Sequence, residues 1–233
     1  HKEVQEPQHK EVQEPHPQQL PHQEQQDGPQ DLEHSEAMEL CIGRTWDGKY
    51  LEEAEHAVLR LHWGAEYLEI KVDAPFADDP LPPGNGGPTW QLWDYEVVEL
   101  FLLGRDEHYT EIELGPHGHH LVLRLEGRRN IVQREIPIRF SATLQDHRWQ
   151  GVASISREYL PIGLQRINAY AIRGTDEDGD RTYMAFSPVP GEEPDFHRIE
   201  LFPTIDEARG HTRPQQQSHE DLDTQGPSHQ QQT

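Results

Sequence analysis

Acidic side chains crowd the stretch from 94 to 113: Asp94, Glu96, Glu99, Glu111 and Glu113. Paired carboxyls on facing positions could carry glycoside hydrolysis, which needs an acid opposite a nucleophile or base. They could also hold calcium through oxygen ligands. Glu99 stands inside the apolar run VVELFLL, 97–103. A carboxyl buried there must be paired or hydrogen-bonded, and Arg124 and Arg128 are the candidate partners. Glu111 and Glu113 alternate with Ile112 and Leu114, which reads as a solvated outward face. Structural pairing leads for this cluster, with ligand or metal contact and catalysis as rivals.

Two further groups flank the acids. Trp90, Trp93 and Tyr95 follow the Pro- and Gly-rich loop 78–88. Flat aromatic faces match the apolar faces of sugar rings, and nearby acids and arginines would add specificity. Trp93 is expected to be buried and Trp90 to be the more exposed. His117, His119 and His120 crowd the turn after Pro116. His119 and His120 point to opposite faces of a strand, so at most His117 with His119 could share a metal ion; the plainer expectation is exposed loop histidines. The candidate ligand-binding set is Trp90, Trp93, Tyr95, Glu96, Glu99, Glu111, Glu113 and His117, and no catalytic residue is nominated.

Other chemistry finds little support. Asp176, Asp178 and Asp180 alternate like a calcium loop, but the glycine is misplaced and Ser187 occupies the closing twelfth position, so a hairpin turn is expected. Phosphate-loop, dinucleotide, serine-elbow and zinc-helix motifs do not occur. Cys41 has no recognisable catalytic setting.

The elements that must position these residues read as short strands. Ala57 to His62 and Tyr67 to Val72 flank a turn, and Val97 to Leu103 is long enough for a buried strand. Tyr109 to Leu114 alternates, with Thr110, Ile112 and Leu114 on one face and Tyr109, Glu111 and Glu113 on the other. A turn at Gly115 to Gly118 then predicts a hairpin with His120 to Leu125. Ile136 to Leu144, Trp149 to Ser156, and Asn168 to Ile172 paired with Arg181 to Phe186 complete the strand set. Arg157 to Leu160 is the only helix-like piece. Many short strands between turns predict an all-β antiparallel sandwich.

The ends differ in composition. HKEVQEP occurs at 1–7 and again at 9–15, and both ends are rich in Gln, Pro, His and Glu. Such segments bury too little apolar surface to offset their ordering entropy. The expected organisation is a disordered tail at 1–37, a sandwich at 38–205 and a second disordered tail at 206–233. The chain opens on His1, from which an upstream segment is expected. With 43 acids against 20 bases, net charge is -23, which argues against a nucleic-acid partner and an anionic membrane. A single cysteine excludes an intrachain disulfide framework and mildly favours the cytoplasm.

Trp46-Asp47-Gly48, Ala74-Pro75-Phe76, LWDYEVVE (92–99), ELGPHGHHLVL (113–123), GRRN (127–130), Pro188-Val189-Pro190 and PDFH (194–197) together resemble uncharacterised protein family 0462 across about 43–202. More distantly, the order of these strands is similar to family nine carbohydrate-binding modules and DOMON-like sandwiches. That likeness implies a carbohydrate-binding-module-like β-sandwich, with Glu96, Glu99 and Gly118 as the corresponding positions and calcium as a candidate cofactor. The leading expectation is a non-catalytic module binding a glycan or sugar-like small molecule. The rivals are a metal-assisted or carboxylate-based hydrolase using Glu111, Glu113 and His117, a haem module with Met184 as an axial ligand, and a protein-interaction domain.

Overall fold

The computed structural model describes residues 37–175 and 180–211. The HKEVQEP repeat, both expected tails apart from residues at their inner edges, and the Asp176–Gly179 turn lie outside the described residues. The first strands are β1 (Met38–Ile42), β2 (Arg44–Thr45), β3 (Ala57–Trp63), β4 (Tyr67–Pro75) and β5 (Gly87–Pro88). The central ones are β6 (Val97–Leu103), β7 (His108–Leu114), β8 (His119–Glu126) and β9 (Ile131–Gln133). The last are β10 (Arg139–Gln145), β11 (Arg148–Ser156), β12 (Arg166–Thr175) and β13 (Arg181–Ala185). Arg157–Tyr159 is one turn of 3-10 helix, as the sequence suggests.

The strands form two sheets. One runs β1-β3-β4-β11-β10; the other runs β2-β13-β12-β6-β7-β8-β5, with β9 also paired to β8. Every pairing is antiparallel except β5 with β8. Apolar residues at alternate positions pack between the sheets: Leu59, Leu61, Ile70 and Trp149 from the first, and Val98, Leu100, Ile112 and Val122 from the second.

The second sheet is covered on its other face as well. Val97, Phe101, Tyr109, Leu121, Leu123, Tyr170 and Ile172 form a second apolar cluster with Leu92, Phe196, Ile199 and Phe202. The cover is a turn at Leu92–Asp94 together with the chain that follows β13. Phe196 stacks on Tyr170 with ring centroids 3.9 Å apart. This explains why β6 is buried at every position: a strand covered on both faces reads as a continuous apolar run.

The covering segment is tied down where it leaves and rejoins the sheet. Fully buried Asn168 donates to Ser187 O at 2.9 Å and accepts from Ser187 N at 3.0 Å. Arg166 donates to Phe202 O at 2.5 Å, and Ile167 N donates to Pro203 O at 3.0 Å. Secondary structure continues past 205, where the sequence reading ends the sandwich. Helix α1 (Ile205–Gly210) starts in a Thr204/Glu207 capping box, and its Ala208 is buried in the main core. No helix among the described residues is long and apolar enough to cross a membrane.

Candidate functional site

Between the covering segment and the outer face of the larger sheet lies a cavity of about 330 Å³. Its floor includes Glu99 of β6, Glu111 of β7, Leu123 and Leu125 of β8 and Ile172 of β12. Its walls include Trp93, Tyr183, Phe196 and His197, with Arg129 beside them. That volume sits at the lower end of ligand pockets, roughly 300–1,000 Å³.

Strand register assembles the acids. Glu99 lies opposite Glu113, and Phe101 opposite Glu111, so all three glutamates project from one face. Alternation sorts Glu111 and Glu113 from Ile112 and Leu114 as the sequence predicts, but the expected solvation of that face is corrected by the structure. Glu111 is 4% exposed and Glu113 fully buried, because the covering segment closes over them. Apart from a side-chain hydrogen bond between Glu111 and Glu113, Glu111 Oε2 and both Glu113 carboxyl oxygens have no hydrogen-bond partner. Burial pushes Glu111 up to about 8. Glu99 is held well above the ordinary carboxylate range by burial and by the Glu111 charge, and Glu113 by burial and the charges of Glu99 and Glu111.

The cations are placed elsewhere than the sequence suggests. Arg124 bonds Gln133, and Arg128 bonds Asp195. Arg129 joins Asp195 at 2.9 Å. The charge that most favours ionised Glu99 is that of Arg181, which donates to Trp93 O at 2.9 Å and to Tyr95 O. Arg181 thereby anchors the turn bearing Trp93, a turn entered through Gln91 in the left-handed region at φ 62°.

The Tyr109 hydroxyl accepts from Arg129 N at 3.0 Å and shares a hydrogen bond with His197 Nδ1 at 2.9 Å. His197 Nε2 faces Glu111 Oε2 at 3.9 Å. Burial and the Arg129 charge hold His197 down to about 4, so the ring is neutral near pH 7.

Of the residues nominated from sequence, Trp93, Glu99 and Glu111 line the cavity, and Glu113 adjoins Glu99 across the strand pair. Tyr95 packs against the second apolar cluster. Trp90 is 39% exposed, meets Trp93 edge-on at 5.2 Å and lies under the Arg134 guanidinium at 4.1 Å. Trp93 is only partly buried, though less exposed than Trp90.

Glu96 and His117 are not brought to the cavity. Glu96 is an odd number of residues from Glu99 and turns to the other face, where it accepts from Ala77 N at 3.0 Å and burial raises it to about 7. His117 packs edge-on against Phe76 at 5.6 Å. His119 and His120 are buried rather than exposed, and His119 Nε2 accepts from Gly86 N at 3.1 Å. Among the described residues no group of three or more His, Cys, Asp or Glu is placed to hold a metal ion. Met184 is buried in the core between the sheets, away from the cavity lining.

Sequence reasoning missed Arg129, Tyr183, Phe196 and His197 as site residues. Arg129 stands in GRRN, and Phe196 and His197 in PDFH, two of the segments that carry the family resemblance. A third, LWDYEVVE, supplies Trp93 and Glu99, and a fourth, ELGPHGHHLVL, supplies Leu123, so four of those segments meet at one cavity.

No family model matches the chain. A candidate carbohydrate-binding protein of Bacteroides uniformis shares the fold, with a TM-score of 0.52 and 16% identity over 73% of this chain and 85% of that one. A family 9 carbohydrate-binding module of Caldicellulosiruptor kristjanssonii, in complex with cellotriose, overlays with a TM-score of 0.40 and 12% identity over 56% of this chain and 64% of that one. At that likeness nothing about the site transfers. Among curated relatives, UPF0462 protein C4orf33 of Homo sapiens is 41% identical over 174 residues, covering 71% of this chain and 86% of the relative. The homolog of Danio rerio is 39% identical over 174 residues, covering 71% and 87%. With that identity over most of the relatives' length, the chain belongs to the UPF0462 family.

Proposed function

We propose that the protein is a small-molecule binding module whose site is the cavity over the outer face of the larger sheet, with a sugar-sized ligand. The observation that carries this reading is a cavity of about 330 Å³ lined by Glu99 and Glu111 and walled by Trp93, Tyr183 and Phe196. Aromatic walls supply apolar area, and carboxyls that both donate and accept suit hydroxyl groups.

The test is a thermal-shift screen of the full chain against mono- and disaccharides. A ligand at 100 times its Kd stabilises the native state by about 2.7 kcal/mol, so a binder should raise Tm by several degrees. Trp93→Ala should abolish the rise without changing the far-UV spectrum. If no small molecule shifts Tm, or Trp93→Ala retains the shift in full, the cavity is not the site.

Carboxylate-based hydrolysis is a second reading. It is favoured by Glu111, held protonated near pH 7 beside the neutral His197. Turnover of an aryl glycoside that survives Glu111→Gln would remove it.

A further inference from the structure

We propose that the cavity selects a small organic ammonium ion, a proposal that rests on reading the cavity as a ligand site. The geometry combines two devices that recognise such ions. Three aromatic rings from separate parts of the chain, Trp93 before β6, Tyr183 on β13 and Phe196 in the covering segment, wall one space. A ring face attracts a cation through its quadrupole, most strongly when both are removed from water. On the floor lie Glu99 and Glu111, with Glu113 next to Glu99.

Among the described residues no arginine or lysine forms an ion pair with Glu99, Glu111 or Glu113. Arg128 and Arg129 both bond Asp195 at the edge of the cavity. Arg181 spends two guanidinium nitrogens on the carbonyls of Trp93 and Tyr95. His197 presents a neutral ring, and its Nε2 stays 3.9 Å from Glu111, beyond hydrogen-bonding distance. With no cation paired to them, burial and mutual repulsion keep Glu99, Glu111 and Glu113 protonated near pH 7. A bound ammonium ion would favour the ionised form of Glu111 while its alkyl groups pack against the rings. A neutral sugar would use the same hydrogen-bonding atoms and give no such support to an ionised Glu111.

The closing experiment is isothermal titration of the full chain at pH 8 with choline, with its uncharged isostere 3,3-dimethyl-1-butanol, and with glucose. Choline should bind about ten-fold or more tighter than the isostere, the scale of a desolvated cation–π contact. Glu111→Gln should remove most of that preference. Trp93→Leu should weaken choline more than the isostere. Thermal melts of both variants, with cooperative transitions retained, keep loss of binding distinct from loss of folding. Equal affinity for choline and its isostere, or tighter binding of glucose than of choline, overturns the ammonium proposal and leaves the small-molecule reading in place. Failure of all three ligands together with the full sugar screen overturns both.

Discussion

At the scale of single residues, the covering segment depends on side chains that no hydrophobic pattern would single out. Asn168 is fully buried and makes four hydrogen bonds: to Ser187 O, from Ser187 N, to the Tyr170 hydroxyl at 2.8 Å and from Ala169 N at 2.9 Å. Removing the amide strands buried backbone groups, each costing roughly 1–3 kcal/mol. Asn168→Ala should therefore destabilise the protein by about 2–4 kcal/mol, measured by urea unfolding. A loss under about 0.5 kcal/mol, the range of ordinary surface changes, would show that Asn168 does not hold the segment. Asn168 reads in the sequence as one polar residue in a strand candidate. Its role follows from where Ser187 arrives, nineteen residues on.

At the scale of elements, β6 and β7 carry a cost that depends on pH. Glu111 is raised to about 8 and Glu96 to about 7, mainly by burial, against about 4.3 for a solvated glutamate. The folded state therefore binds protons that the unfolded chain releases. The stability this contributes is complete below the unfolded value and is lost as pH rises through the folded ones. His197 works in the opposite sense: it is depressed to about 4, so its contribution is present above pH 6.5 and lost as pH falls. Between pH 6.5 and 8 the loss from the carboxyls outweighs the small remaining gain from the depressed histidines, and Tm should fall across that window. Glu111→Gln should flatten the slope. A Tm that stays level or rises from pH 6.5 to 8 would contradict the protonated state assigned to these glutamates. The alternation placing Glu111 and Glu113 together was legible from the strand pattern. Their burial was not, because period-two alternation identifies a second face without saying what covers it.

For the molecule as a whole, the larger sheet is shared by two apolar clusters, one on each face. Phe202 is fully buried, meets Phe101 edge-on at 5.7 Å and closes the second cluster. Phe202→Ala should cost about 3–5 kcal/mol through the cavity it leaves. Because the covering segment and the sandwich use the same strands, unfolding should remain one transition. Tryptophan fluorescence and far-UV circular dichroism should then give coincident urea curves. Separate midpoints would mean that the cover melts independently.

The sequence by itself determined the class of fold, most strand limits, the β7–β8 hairpin and the family, because side-chain alternation and turn residues are local and the family segments are contiguous. It also brought Trp93, Glu99 and Glu111 into one candidate set. Only the tertiary structure decided that Glu96 and His117 stand apart from them, that Arg128 serves Asp195 instead of Glu99, and that His197, Phe196 and Tyr183 complete the cavity. Those outcomes depend on which face the chain covers after it leaves β13. That crossing is set by contacts between residues far apart in the chain, which no local period encodes.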